Sequence, residues 1–272
     1  MRALEEQTIL ITGATDGLGR QVAEDLARRG AQIVVHGRSR ERGEATVEAI
    51  RATTGNDRVE LALADLASLV QVRGLAADIR ERFERLDVMA SNAGIGTRVP
   101  GDGARAESDD GYELRFAVNY LAGFLLTREL LDLLRRSAPA RIVHVASAGQ
   151  MPIDFDDVML ERSYDGTRAY CQSKLAQIMF TFELADRLGD GAGVTATSLH
   201  PATYMPTKIV PRPISTIEEG AEATERLIAD PALDGVTGRY FNGLREARAD
   251  DQAYDAEARR RLWELSERLV GL

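Results

Sequence analysis

A single cysteine, Cys171, stands in 272 residues, so the chain can close no internal disulfide and offers no cysteine framework for a metal. Histidine is almost as scarce: His36, His144 and His200 are dispersed and show no zinc-ligand spacing. No apolar run approaches the ~20 residues of a membrane-spanning helix, and residues 1–7 carry no signal-peptide core. A soluble, cytoplasmic protein is expected. Basic charge is short as well, with 34 Lys+Arg against 43 Asp+Glu and a net charge of −9. A nucleic-acid partner, which would need a basic stripe to neutralise phosphates, is excluded on that balance. Linkers rich in proline or serine, repeats and low-complexity stretches are missing too. Residues 1–272 therefore read as one domain.

What is present is a regular alternation. Short β-branched or apolar runs at 8–12, 32–36, 59–64, 87–90, 141–146, 194–199 and 239–241 read as strands. Amphipathic stretches at 18–29, 40–53, 69–83, 112–136, 169–188, 217–229 and 257–270 read as helices. Strands that are apolar throughout belong in a sheet covered on both faces, which means parallel strands with crossover helices. The fold class is α/β: a single doubly wound, Rossmann-type domain with a parallel seven-stranded sheet flanked by helices. Irregular segments at 94–110, 148–168 and 201–215 follow strand C-termini, the edge at which open sheets of this kind bind ligands.

The first strand runs into Thr12-Gly13-Ala14-Thr15-Asp16-Gly17-Leu18-Gly19 and then a helix. Glycines let the backbone turn sharply and approach a pyrophosphate, while the helix N-terminus offers positive N–H dipoles. A dinucleotide site is expected over Gly13, Thr15, Asp16, Gly17, Leu18 and Gly19, although an ordinary strand-to-helix turn has the same composition. The second strand ends at His36-Gly37-Arg38. An acid here would take the 2′-hydroxyl of NAD; Gly37 stands in its place and Arg38 follows, which suits a 2′-phosphate by bidentate pairing. NADP(H) is expected in preference to NAD(H).

Tyr170 and Lys174 lie four apart at the start of a helix and hence on one face. A phenol of pKa ~10 is a poor acid or base at neutral pH; a neighbouring ammonium favours the phenolate and lowers that value. The pair alone is common, but Ser147 closes the fifth strand, Ser91-Asn92-Ala93-Gly94 the fourth, and Asn119 lies in a very apolar helix. A buried asparagine needs partners for its amide.

In this order Gly13/Gly17/Gly19, Asp65-Leu66, Asn92-Ala93-Gly94, Asn119, Ser147, Tyr170 and Lys174 resemble the short-chain dehydrogenase/reductase family over essentially the whole chain. The stretches 153–157, 170–175 and 262–266 resemble its retinol dehydrogenase-like branch. The resemblance implies that Tyr170 is the general acid/base, that Ser147 bonds the reacting oxygen, and that Lys174 holds the nicotinamide ribose and tunes Tyr170. It further implies that Asn119 holds a water leading from Lys174, that Asp65 and Leu66 lie near adenine, and that Asn92, Ala93 and Gly94 lie beside the adenosine ribose. Family members usually carry Pro-Gly and then a threonine after the sixth strand. Here Pro201-Ala202-Thr203-Tyr204-Met205-Pro206-Thr207 leaves Thr203 or Thr207 for the carboxamide.

The implied activity is NADP(H)-dependent interconversion of a hydrophobic ketone or aldehyde and its alcohol. A catalytically inactive NADP-binding sensor and an epimerase or dehydratase of the extended branch are the alternatives. Met151, Phe155, Tyr204 and Met205 are expected to form an apolar substrate wall. The helices at 114–134 and 169–188 carry more apolar surface than one sheet-facing side needs. A homodimer or homotetramer through them is expected unless the segment 94–110 or the C-terminal helix covers the surplus.

Overall fold

Four consecutive buried residues, Thr8–Ile11, form the central strand of a sheet because both of its faces are covered by helices. The computed structural model describes residues 1–98, 104–189, 191–206 and 212–272. Thr207, and parts of the segments 94–110 and 201–215, lie outside the described residues. Among the described residues no helix is long and apolar enough to cross a membrane.

The strands are β1 (Thr8–Ile11), β2 (Gln32–Gly37), β3 (Val59–Leu63), β4 (Val88–Ser91), β5 (Ala140–Val145), β6 (Val194–His200), β7 (Arg239–Asn242) and β8 (Arg245–Glu246). Their order is β3-β2-β1-β4-β5-β6-β7-β8. The first seven pair parallel, as the sequence predicts. An eighth strand of two residues folds back antiparallel on β7, too short to show a hydrophobic period and therefore invisible in the sequence. The chain reverses its direction of travel between β1 and β4, and the crevice opens where those two strands end.

The α-helices are α1 (Gly17–Arg28), α2 (Arg40–Thr54), α3 (Leu69–Arg82), α4 (Ala122–Arg136), α5 (Gly166–Leu188), α6 (Ile217–Ala229) and α7 (Ala256–Val270). Side chains of α1, α2 and α6 join one apolar cluster under one face of the sheet. Those of α3, α4 and α5 join another on the opposite face. The limits of α6 follow from its ends: Thr216 and Glu219 close a reciprocal capping box, satisfying two helix-start N–H groups.

The apolar surplus of α4 and α5 is covered within the chain. Trp263 of α7 packs edge-on against Phe124 at 5.3 Å and lies 5.7 Å from Phe180. The Tyr120 hydroxyl pairs with Ser266 Oγ at 2.7 Å, and Arg128 and Arg187 stack on the Trp263 ring at 4.8 and 4.2 Å. Phe116, Leu121, Phe124, Leu125, Leu130 and Leu134 are fully buried. Part of the apolar surplus from which a homodimer or homotetramer is expected is thus met by α7 of the same chain. Light scattering across a micromolar dilution series should give a mass near 29.7 kDa; twice that mass would show that a different face pairs.

One carboxylate is held out of its usual range. Glu225 of α6 is half-buried against Asp25 of α1 and Arg29 just beyond its end, 3.5 Å from the latter. Burial first, and Asp25 second, push its pKa up to about 7. The folded chain therefore keeps a proton that the unfolded chain releases between pH 4.5 and 7, and stability falls as pH rises through that window. Glu225→Gln should raise the melting temperature at pH 8, by on the order of 1–2 kcal/mol of stability. The gain should shrink steadily toward pH 5. An equal gain at both pH values would show that Glu225 is not the group responsible.

Candidate active site

Gly13 adopts a φ of +67°, and a Cβ there would lie 2.8 Å from Ala93 Cα. Gly17 follows at φ +52°. At Gly19 a Cβ would meet Asn92 Nδ2 at 2.4 Å and Gly13 O at 2.6 Å. These three positions thus need glycine for backbone reasons, and together they bring the N-terminus of α1 against the end of β4. The turn is tied down by polar groups. Asn92 Nδ2 donates to the carbonyls of Thr12 and Gly13 at 2.8 and 3.3 Å, and Thr12 Oγ1 accepts from the Asn92 and Ala93 N–H groups at 2.9 and 3.0 Å. Asp16 caps α1 through the Gly17 N–H at 2.9 Å. A narrow, side-chain-free cradle at a helix N-terminus fits the pyrophosphate of a dinucleotide.

His36 helps to shape this turn. Its Nδ1 accepts from the Gly13 N–H at 3.2 Å, and its Nε2 faces Ala64 O at 3.2 Å. Accepting at Nδ1 places the proton on Nε2, which donates to Ala64. Burial pushes the ring pKa down to about 4, so it is neutral at physiological pH.

At the end of β2 a Cβ on Gly37 would lie 2.5 Å from Thr15 Cγ2. Thr15 therefore occupies the space that an acidic side chain at 37 would need. Arg38 extends into solvent with its side chain 71% exposed and lies 3.9 Å from Asp65 Oδ2. The pairing of β2 with β3 brings Arg38 and Asp65 together. Asp65 also accepts from the Ala67 N–H at 2.9 Å, and Leu66 is buried beneath.

The start of the predicted helix 112–136 is a π-helix, Phe116–Leu121. Such wide turns are rare and frequently sit at functional sites, and this one carries Asn119. Asn119 Oδ1 accepts from the Ile95 N–H at 2.8 Å, and its Nδ2 donates to Ile95 O and Ser173 Oγ at 3.1 and 3.0 Å. A buried ion pair braces the region, Arg115 with Glu113 at 3.4 Å. Arg115 donates to the carbonyls of Gly96 and Thr97 at 3.0 and 2.7 Å and to the Tyr164 hydroxyl, which in turn donates to Glu113 at 3.0 Å. With its hydrogen bonds filled, the pair avoids the penalty of an unpaired buried charge.

Asp165 caps α5, whose first turns carry Tyr170 and Lys174. Tyr170 is half-buried. Burial raises its pKa, and a hydrogen bond with Ser147 lowers it in part. Lys174 Nζ sits 5.8 Å from the Tyr170 ring centre and donates instead to Val145 O and Gln177 Oε1, each at 2.9 Å. Desolvation brings the Lys174 pKa down to about 7. Ser147 lies two residues beyond β5, its Oγ accepting from the Gly149 N–H at 3.0 Å and its carbonyl from the Tyr240 hydroxyl at 3.1 Å. A Cβ on Gly94 would lie 3.3 Å from both Asn119 Oδ1 and Lys174 Nζ, so the β4 loop, the π-helix and α5 meet at one point.

Beyond β6, Thr203 Oγ1 pairs with His200 Nε2 at 3.0 Å. With Pro201 it borders a cavity of about 360 Å³ that neither Ser147 nor Tyr170 lines. The apolar wall expected from Met151, Phe155, Tyr204 and Met205 is not assembled. Phe155 packs on the α3–α5 side of the sheet under Arg261, whereas Met205 packs on the α1–α6 side against Gly220. Met151 and Tyr204 are exposed. The pattern failed because apolar loop residues pack on whichever face is near. His36, Thr12, Gln177 and the Glu113–Arg115–Tyr164 cluster were not singled out from the sequence. A buried charged pair two residues apart, just ahead of an apolar helix, was the available signal for the last.

A family model described as short chain dehydrogenase matches residues 7–213. The chain is 40% identical to retinol dehydrogenase 13 of Homo sapiens, with 98% of this chain and 85% of that protein covered. To retinol dehydrogenase 14 of Homo sapiens it is 37% identical, covering 98% and 87%. Among solved structures, an uncharacterized protein from Mycobacterium Paratuberculosis superposes with a TM-score of 0.78 at 29% identity, covering 98% and 94%. A structure described as a short chain dehydrogenase from Escherichia coli CFT073 complexed with NADPH gives 0.71 at 25% identity, covering 89% and 98%.

Proposed function

Because the chain belongs to the short-chain dehydrogenase/reductase family, in its retinol dehydrogenase-like branch, we propose that this NAD(P)-dependent oxidoreductase reduces a hydrophobic ketone or aldehyde at the expense of NADPH. The observation that carries the reading is the convergence of Ser147, Tyr170, Lys174 and Asn119 beside the glycine cradle. The bound cofactor supplies the hydride. Tyr170, kept protonated by its raised pKa, is suited to deliver a proton to the carbonyl oxygen as charge develops there. Ser147 donates a hydrogen bond to the same oxygen, the type of interaction that strengthens in the transition state. Lys174 holds the nicotinamide ribose, and Asn119 holds a water leading from Lys174.

Gly37, Thr15 and Arg38 support NADP(H) over NAD(H), and the NADPH-bound relative from Escherichia coli agrees with that choice. Gly13, Thr15, Asp16, Gly17, Leu18 and Gly19 take the pyrophosphate end of the cofactor. Asp65, Leu66, Asn92, Ala93 and Gly94 take the adenosine, and Pro201 with Thr203 the carboxamide. The names of the human relatives point to a long apolar aldehyde of the retinal type. Following NADPH absorbance with retinal, medium-chain aldehydes and aryl ketones should reveal turnover with at least one of them. Saturable NADPH binding without turnover on any of them would point to a cofactor-binding sensor instead.

A further inference from the structure

Lys174 is one of only two lysines, with Lys208, among 34 basic residues. An ammonium carries three donors on a flexible stem and, unlike guanidinium, gives up its charge when buried. Two of those donors are committed here, one to the backbone carbonyl of Val145 and one to the side chain of Gln177, one turn further along α5. The ammonium form offers no acceptor, and the Gln177 amide presents its oxygen to Nζ. Its nitrogen is thereby turned to a buried position without a hydrogen-bond partner among the described residues. Leaving a buried donor unmade is costly, and leucine would fill this nearly fully buried position without it. The amide oxygen facing Lys174 is what the glutamine offers in return.

We infer that Gln177 is a positioning residue for Lys174. Together with Val145 O, it holds the ammonium beside Gly94 and leaves the third donor for the cofactor, and it favours the charged form of the amine. The part concerning the cofactor rests on the proposed function; the hold on the amine does not. Desolvation opposes the charge, and a carbonyl dipole accepting from N–H⁺ supports it. The titratable groups facing Lys174 are His144 from β5, His200 from β6 and Tyr170 on its own helix, with Cys171 next to Tyr170. Burial lowers the pKa of both histidines, that of His144 to about 3. Burial raises those of Tyr170 and Cys171. All four are therefore uncharged near neutrality, and the Gln177 dipole acts on the amine without a competing charge from them.

The scarcity of lysine makes the test direct. Protein labelled with ¹³C at lysine Cε should give two lysine signals, assigned by Lys208→Arg, and their titration reads the Lys174 midpoint in the full chain without cofactor. Gln177→Leu should move that midpoint down by about one pH unit, and Gln177→Glu should move it up. Opposite shifts from two substitutions at one site are not what a general packing defect produces. If Gln177→Glu fails to fold, Gln177→Leu decides alone, since it removes an unpaired buried donor. Wild-type and variant midpoints that coincide would overturn the inference. Shifted midpoints in a protein that reduces no carbonyl would uphold the inference about Gln177 while defeating the proposed function.

Discussion

Tyr170→Phe should lower the turnover number for carbonyl reduction by about 10²–10⁴, the usual contribution of a positioned general acid, while the NADPH dissociation constant stays nearly unchanged. Phenylalanine keeps the ring and its packing and removes only the hydroxyl. In the wild type, burial raises the phenol's pKa above its ordinary value, so the proton is in place throughout the neutral range. The wild-type reduction rate should accordingly be flat near pH 7 as far as Tyr170 is concerned, and decline only on the alkaline side as the phenol ionises. Oxidation of the alcohol needs the phenolate and should be the slower direction at pH 7, gaining with rising pH. Single-turnover mixing of the NADPH complex with aldehyde separates the chemical step from product release. A variant that transfers hydride at the wild-type rate would remove Tyr170 from the chemistry.

Much of this site was legible because its geometry is backbone geometry. Gly13, Gly17 and Gly19 announce a turn that no other residue could make at those contacts, and Tyr170 and Lys174 stand on one face of a helix by spacing alone. The strands could be read because burial on both faces leaves continuous apolar runs, as in β1 and β5. What stayed hidden depends on three-dimensional company. The π-turn at Asn119 is a change of hydrogen-bonding register that leaves no mark on periodicity. Nor does spacing say whether Lys174 reaches for Tyr170 or for Gln177; only the placement of Val145 O and the burial of Nζ decide it.

The cover over α4 and α5 was only half legible for a similar reason. The apolar residues of α4 and α5 do exceed what the sheet can cover, and that reading of the sequence was right. Helix α7 was one of two segments the sequence offered for that face, and its own amphipathic pattern did not choose between them. Trp263 makes the assignment in the structure by packing against both Phe124 and Phe180 under the two arginines. An amphipathic stripe says that a helix needs a partner and does not say which one.

Arg38→Asp should invert cofactor choice. Arg38 is mostly exposed and 3.9 Å from Asp65, and a surface pair of that kind contributes ~1 kcal/mol or less, so the guanidinium can turn to a 2′-phosphate at little expense. Losing a charge-assisted pair and placing a carboxylate in its stead should weaken NADPH binding by about 2–3 kcal/mol, or ~30–150-fold in dissociation constant. The new carboxylate can accept from the ribose hydroxyls, so NADH should bind as well as or better than in the wild type. Because Thr15 fills the space beside Gly37, the acid is best introduced at 38, whose side chain already points outward. The same contact predicts that Gly37→Asp alone should weaken both cofactors. Titrating the fluorescence of each reduced cofactor against wild type and Arg38→Asp measures all four constants at one ionic strength. A wild type that binds NADH as tightly as NADPH, with Arg38→Asp changing neither, would place the adenosine ribose away from Arg38.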